Sequence, residues 1–203
     1  MNILILIAIA VIIAVLVMSK AKAGDIAIPE APQRSDLLFG YYGCTGDQVA
    51  ETQGHVNLHW ECFWGGVDKA IADMRAANMT TVLDLGGPTL SDYGTLPRTV
   101  RPDAEAQLRA LFDRLHSEGV LHLVKYLLPS DEPNLPENGS VHLLPEIMPL
   151  IHRVAVSYPA LVGVQYGCVY YSDLPMDHIE LFDVVGFDQY EEKSGIFAPG
   201  ALY

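Results

Sequence analysis

The chain has 203 residues, half of them apolar and 18% charged, a balance that excludes disorder and collagen-like or mucin-like repetition. That length suits one substantial domain rather than two. Twelve Lys and Arg against 25 Asp and Glu give a net charge of −13, which argues against a nucleic-acid partner, because binding phosphates needs clustered cations.

Residues 3–18 form an unbroken apolar run, short for a bilayer span of about 20 residues and long for the core of a secretory signal. Ala21-Lys22-Ala23 fits a small-x-small cleavage site. No Lys or Arg precedes the run, whereas Lys20 and Lys22 come after it, the arrangement that keeps the downstream domain on the cytoplasmic side. A cleaved export signal over residues 1–23, an uncleaved anchor holding residues 2–18 in the membrane, and an inward-facing anchor all stay open. Export is the favoured reading, with a secreted or periplasmic domain or one tethered by this segment. Residues 24–36 read as a polar, Pro-containing linker, and residues 37–203 as the domain.

Within the domain, Leu37–Tyr42 reads as a strand, Gly46–Gly54 as a short helical connection and Val56–Phe63 as a second strand. Val67–Asn78 reads as a helix with Val67, Ala70, Ile71 and Met74 on one face. Thr80–Leu85 is a third strand, and Gly86–Thr99 a Gly/Pro/Ser loop. Pro102 opens a helix whose Leu108, Leu111, Phe112 and Leu115 recur at helical spacing up to Gly119. Val120–Leu128 is a fourth strand, Pro129–Ser140 a polar loop, and Val141–Tyr158 a helix with Pro145 and Pro149 in its first turns. Leu161–Tyr170 is a fifth strand, Met176–Leu181 a short helix, and Asp183–Phe187 a sixth strand.

Six alternations of apolar strand and helix predict an α/β fold with a parallel sheet, either covered on both faces or closed into a barrel. In both cases the carboxyl ends of the strands form the active edge. No G-x-G-x-x-G and no Walker loop follows any strand, so the barrel is favoured over a nucleotide-binding sheet. Tyr42, Trp60, Glu61, Asp84, Asp131, Glu132, Tyr170, Tyr171, Asp188 and Tyr190 gather just after strands.

Lys125–Asn134 carries the richest signal. Asp131 and Glu132 follow a buried strand directly and precede Pro133, which disfavours the helical region for Glu132 and holds it on an extended stem. A carboxyl placed there and partly desolvated suits general-acid work, because burial raises its pKa toward neutrality. Asp131-Glu132-Pro133 reads equally well as an acidic surface turn. Glu61, Asp84 and Asp188 are further carboxylates at strand ends, able to orient substrate, tune Glu132 or serve as a base. Aromatic rings at the same edge, Trp60, Trp64, Tyr170 and Tyr190 among them, either stack on sugars or plug the sheet.

The remaining chemistry-bearing residues form weaker patterns. His55 and His59 stand four apart, but no third ligand accompanies them; a metal-dependent hydrolase using both with Asp84 is the weakest reading, and no metal or other cofactor is expected. Cys44, Cys62 and Cys168 lack C-x-x-C spacing and leave room for at most one bridge. Asn78-Met79-Thr80 and Asn138-Gly139-Ser140 match glycosylation sequons. No G-x-S-x-G nucleophile elbow is present.

Phe39-Gly40-Tyr41-Tyr42-Gly43, Asp131-Glu132-Pro133 after the fourth strand and Asp183–Tyr190 around the sixth resemble (β/α)8-barrel glycoside hydrolases. The resemblance implies a TIM-type barrel with about six of its eight β/α units present, preceded by an N-terminal hydrophobic helix. Six units of about 28 residues fit a barrel of about 250 residues in total, with the rest lying beyond Tyr203. It also implies hydrolysis of O-glycosidic bonds in a polysaccharide or oligosaccharide, with Glu132 as general acid/base. Tyr42, Trp60, Glu61, Asp84, Asp131, Tyr170, Asp188 and Tyr190 would then bind substrate, and no residue matches the family's nucleophile after a seventh strand. The alternative is a non-catalytic carbohydrate-binding or surface-anchored protein on a degenerate barrel.

Overall fold

The computed structural model describes residues 38, 40–41, 48, 51, 54–63, 65–91 and 96–188. The hydrophobic segment, the linker and most of the Gly46–Gly54 connection lie outside them, as do Tyr42, Trp64 and Tyr190. Among the described residues no helix is long and apolar enough to cross a membrane.

Strands β1 (Gly40–Tyr41), β2 (Leu58–Glu61), β3 (Thr80–Asp84), β4 (Val124–Leu128), β5 (Gln165–Tyr171) and β6 (Val184–Asp188) form one parallel sheet in sequential order. Gly40 is required where β1 meets β2, since a Cβ there would stand 2.1 Å from the Leu58 carbonyl oxygen. Helix α1 (Val67–Ala77) links β2 to β3, and α2 (Gly86–Thr89) with α3 (Ala104–Ser117) links β3 to β4. Helix α4 (Leu144–Ala155) links β4 to β5.

The helices form where apolar residues recur at helical spacing. Helix α1 buries Ala70, Ile71, Met74 and Ala77, and stops at Asn78, whose φ of 47° is left-handed and whose N–H donates to the Met74 carbonyl. Helix α3 buries Leu108, Leu111, Phe112 and Leu115 and gives way at Gly119, φ 74°. Pro149 lies inside α4 rather than in its first turns. The helix tolerates it because Ile147, Met148, Ile151 and Val154 bury a continuous apolar stripe. Together these faces cover one side of the sheet and enclose a core with Leu83, Val124 and Leu127.

Alternation along each strand separates two faces. In register, Trp60 pairs with Val82 and Val82 with Tyr126, so these three share the side away from the helices. With Leu58, Leu128 and Val169 they line a cavity of about 240 Å³ on that side. His59, Glu61, Leu83 and Tyr170 sit at the opposite parity.

The expectation of a (β/α)8-type barrel with six β/α units is overturned. The strands form an open sheet, and no pairing joins β6 to β1 among the described residues. Strand β5 connects to β6 through a single 3₁₀ turn, Ile179–Leu181, instead of a helix. Among the described residues no helix covers the outer face of β6, and Phe187 is 68% exposed and Val185 also exposed there. The sequence pattern misleads here because an apolar strand reads the same whether or not a helix packs over it. The α/β class stands, as an open parallel sheet with helices packed against one face.

Candidate functional site

The carboxyl edge of β3, β4 and β6 gathers four of the predicted acids. β4 ends at Leu128, and the chain then turns through Ser130, Asp131 and Glu132. Asp131 forms a parallel bridge with Val169 of β5. Ser130 and Ser140, both fully buried, share a hydrogen bond of 3.1 Å that ties the two ends of the loop. Asn138 donates from Nδ2 to the carbonyls of both Asp131 and Glu132, each at 3.0 Å. The Asn134 Nδ2 donates to the Tyr171 carbonyl, and its Oδ1 accepts the Tyr171 N–H, both at 2.9 Å. Two asparagine side chains thus lock this loop onto itself and onto β5.

Glu132 does not adopt the extended backbone expected before Pro133. Its φ is 37°, in the left-handed region, a conformation that costs a non-glycine residue energy and persists only where neighbours over-determine it. Those neighbours are the Asn138 amide and the Leu135 N–H, which both donate to the Glu132 carbonyl. The side chain is 8% exposed, and its Oε1 is fully buried with no hydrogen-bond partner. Burial pushes the carboxyl up to about 7, and the negative charges of Asp131, Asp188 and Glu137 add to the shift.

Asp84 ends β3 on the face away from the helices, paired in register with Leu128. Its Oδ1 accepts the Gly86 N–H at 2.7 Å. Burial also raises this carboxyl to about 7; the Gly86 N–H and the Arg98 charge oppose the rise, and Asp131 adds to it. Asp188 ends β6 opposite Tyr171, and its charge reaches Glu132. The edge therefore holds two carboxyls that titrate near neutrality, Asp84 and Glu132, among further acids.

The other predicted residues part company with this cluster. Glu61 faces the helix-covered side, where His59 Nε2 lies 3.2 Å from Oε2 and the Phe63 N–H donates to Oε1 at 2.7 Å. Tyr170 is fully buried on that side, its hydroxyl donating to the Asp177 carbonyl at 2.7 Å and its ring edge-on to Phe182. Trp60 lies half-buried on the opposite side, against the cavity beneath Asp84. His59 and Asp84 sit on opposite faces of the sheet, and the described residues hold no group of three metal-ligating side chains.

Sequence reasoning missed Arg98, whose side chain is 1% exposed and whose Nε and Nη2 both donate to the Ser91 carbonyl, at 3.2 and 2.9 Å. It supplies a buried positive charge near Asp84, and no motif marks it. Asn138 was legible only as a sequon, yet its amide is already engaged in holding the Glu132 loop. No family model, no curated protein and no solved structure matches this chain.

Proposed function

We propose that the chain hydrolyses O-glycosidic bonds of a polysaccharide or oligosaccharide, with Glu132 as the general acid/base. The observation that carries this reading is the Glu132 carboxyl itself: buried, with one oxygen unpartnered, and held near a pKa of about 7. A carboxyl in that state is about half protonated at neutral pH, and its Oε1 has no partner within the protein, which suits donation to a leaving-group oxygen. Once ionised, it accepts a proton from the attacking water. The charges of Asp131 and Asp188, both close enough to act on Glu132, would stabilise positive charge developing on the sugar ring. Trp60, half-buried on the same side of the sheet, offers an apolar surface for a sugar face.

The test is reducing-sugar release from a panel of soluble polysaccharides by the full chain and by Glu132→Gln, with thermal melting as the folding control. A variant that folds normally and loses hydrolysis supports the reading. Equal turnover in both proteins would remove Glu132 from the mechanism. Glycan binding by the natural chain without any hydrolysis would instead favour the carbohydrate-binding alternative.

A further inference from the structure

A second cavity, of about 450 Å³, opens on the helical side of the molecule, between α1, α2 and α3. Its volume falls in the range of small-molecule pockets, about 300–1,000 Å³. Phe63, Val67, Pro88 and Leu111 give it an apolar lining, and Arg101 and Arg114 stand in its wall.

The arginines are held in place by acidic partners. Arg114 reaches from α3 across to Asp68 on α1 at 3.1 Å, and its other terminal nitrogen meets Glu118 at 2.7 Å. Arg101 pairs with Asp103 at 3.1 Å. Asp68 is the acid of the lining, and its side chain is 90% exposed. An exposed pair such as Arg114–Asp68 contributes little, so exchanging it for an incoming anion costs little.

Two features of the chain shape the groove further. Phe63 has a φ of 58°, an outlying conformation for a bulky residue, and the Glu61 carboxylate fixes it by accepting its N–H. Helix α1 begins at Gly66 without a side-chain cap, so its first-turn N–H groups add partial positive charge at the Val67 end.

We infer that this groove binds a small amphipathic carboxylate, an aryl or acyl acid, with its apolar body on Phe63 and Leu111 and its charge at Arg101 and Arg114. The site is separate from the carboxyl edge and independent of the glycosidase reading. The apolar lining excludes a bare inorganic anion, and the arginines select against a neutral or cationic body of the same shape.

The probe is 2-naphthoate, titrated calorimetrically into the full chain, with neutral 2-naphthol as its counterpart and amide chemical shifts to locate binding. The expected result is saturable naphthoate binding that perturbs Val67, Ala110 and Leu111. Naphthol should bind at least about fivefold more weakly, the factor that one exposed ionic contact supplies. Arg114→Gln and Arg101→Gln should each weaken naphthoate by a similar factor and leave naphthol unchanged. Val67→Glu, a substitution at an exposed position, adds a like charge at the lip and should act in the same direction. Equal affinity for the acid and the alcohol, shifts confined to the open face of the sheet, or no binding at all would each overturn the inference.

Discussion

The ends of β2 and β4 are built from the same parts and put them to opposite uses. Each has a glutamate under one-tenth exposed, Glu61 and Glu132, and each has a bulky residue with positive φ, Phe63 and Glu132 itself. At β2 the carboxylate turns toward the helices, where both oxygens are engaged, by the His59 ring and the Phe63 N–H. At β4 the backbone of the loop is held by Asn134 and Asn138, which leaves the carboxylate free of structural duty and one oxygen unpartnered. Burial alone therefore does not make a carboxyl reactive. What matters is whether another group already satisfies the loop.

The two glutamates should separate most widely in activity. Glu132→Gln should lower hydrolysis by about 10²- to 10⁴-fold, the usual worth of a general acid, with little change in melting temperature. Glu61→Ala should do the reverse. It leaves the Phe63 N–H and His59 without their partner, and should cost about 1–3 kcal/mol of stability per group left unsatisfied, measured by denaturant unfolding.

The next effect is a pH dependence of stability. Asp84 is raised from 3.8 to about 7 in the folded chain, so between those values the native state holds a proton that the unfolded state releases. Stability therefore falls as pH rises through that window; the penalty is absent below about 4 and complete above about 7. At about 1.4 kcal/mol per pH unit, the loss reaches at most about 4 kcal/mol. Asp84→Asn keeps an acceptor for the Gly86 N–H and should flatten the slope between pH 4 and 7. Glu132 shifts in the same direction, so a residual slope in Asp84→Asn should disappear in the double variant with Glu132→Gln. A slope of opposite sign in the natural chain would contradict both assignments.

A smaller effect concerns the loop that carries Glu132. Asn134→Ala removes both side-chain bonds to Tyr171 and should cost about 1–2 kcal/mol. It should also reduce turnover, by less than Glu132→Gln does. Undiminished turnover would mean that the clamp positions nothing that matters for the reaction.

The fold was legible where periodicity speaks alone. The buried faces of α1 and α3 follow directly from Ile71 and Met74 and from Leu108, Leu111, Phe112 and Leu115. Boundaries were less so. Val120–Leu123 is apolar enough to pass for strand but forms a 3₁₀ entry to β4, and residues 161–164 likewise precede β5 as a 3₁₀ turn and its exit. The openness of the sheet was illegible, because Val185 and Phe187 look like core residues, yet among the described residues no helix packs over them.

At the site, the strand-end positions of Asp84 and Glu132 were readable from sequence, but the face each side chain occupies was not. Parity depends on register, and one residue separates Trp60 from Glu61 and Tyr170 from Tyr171. So it is register that sends Glu61 and Tyr170 to the helical side and leaves Trp60 and Tyr171 on the other. Arg98 and the asparagine clamps act through loop geometry, which spacing along the chain does not encode.

The chemistry of this edge turns on Glu132 being a carboxyl free to give and take a proton near neutrality. That property is tested most directly by titrating the Glu132 side-chain carboxyl by ¹³C NMR, with Glu132→Gln used to assign the resonance. The expected midpoint is near 7. A midpoint at the ordinary glutamate value, about 4.3, would contradict it.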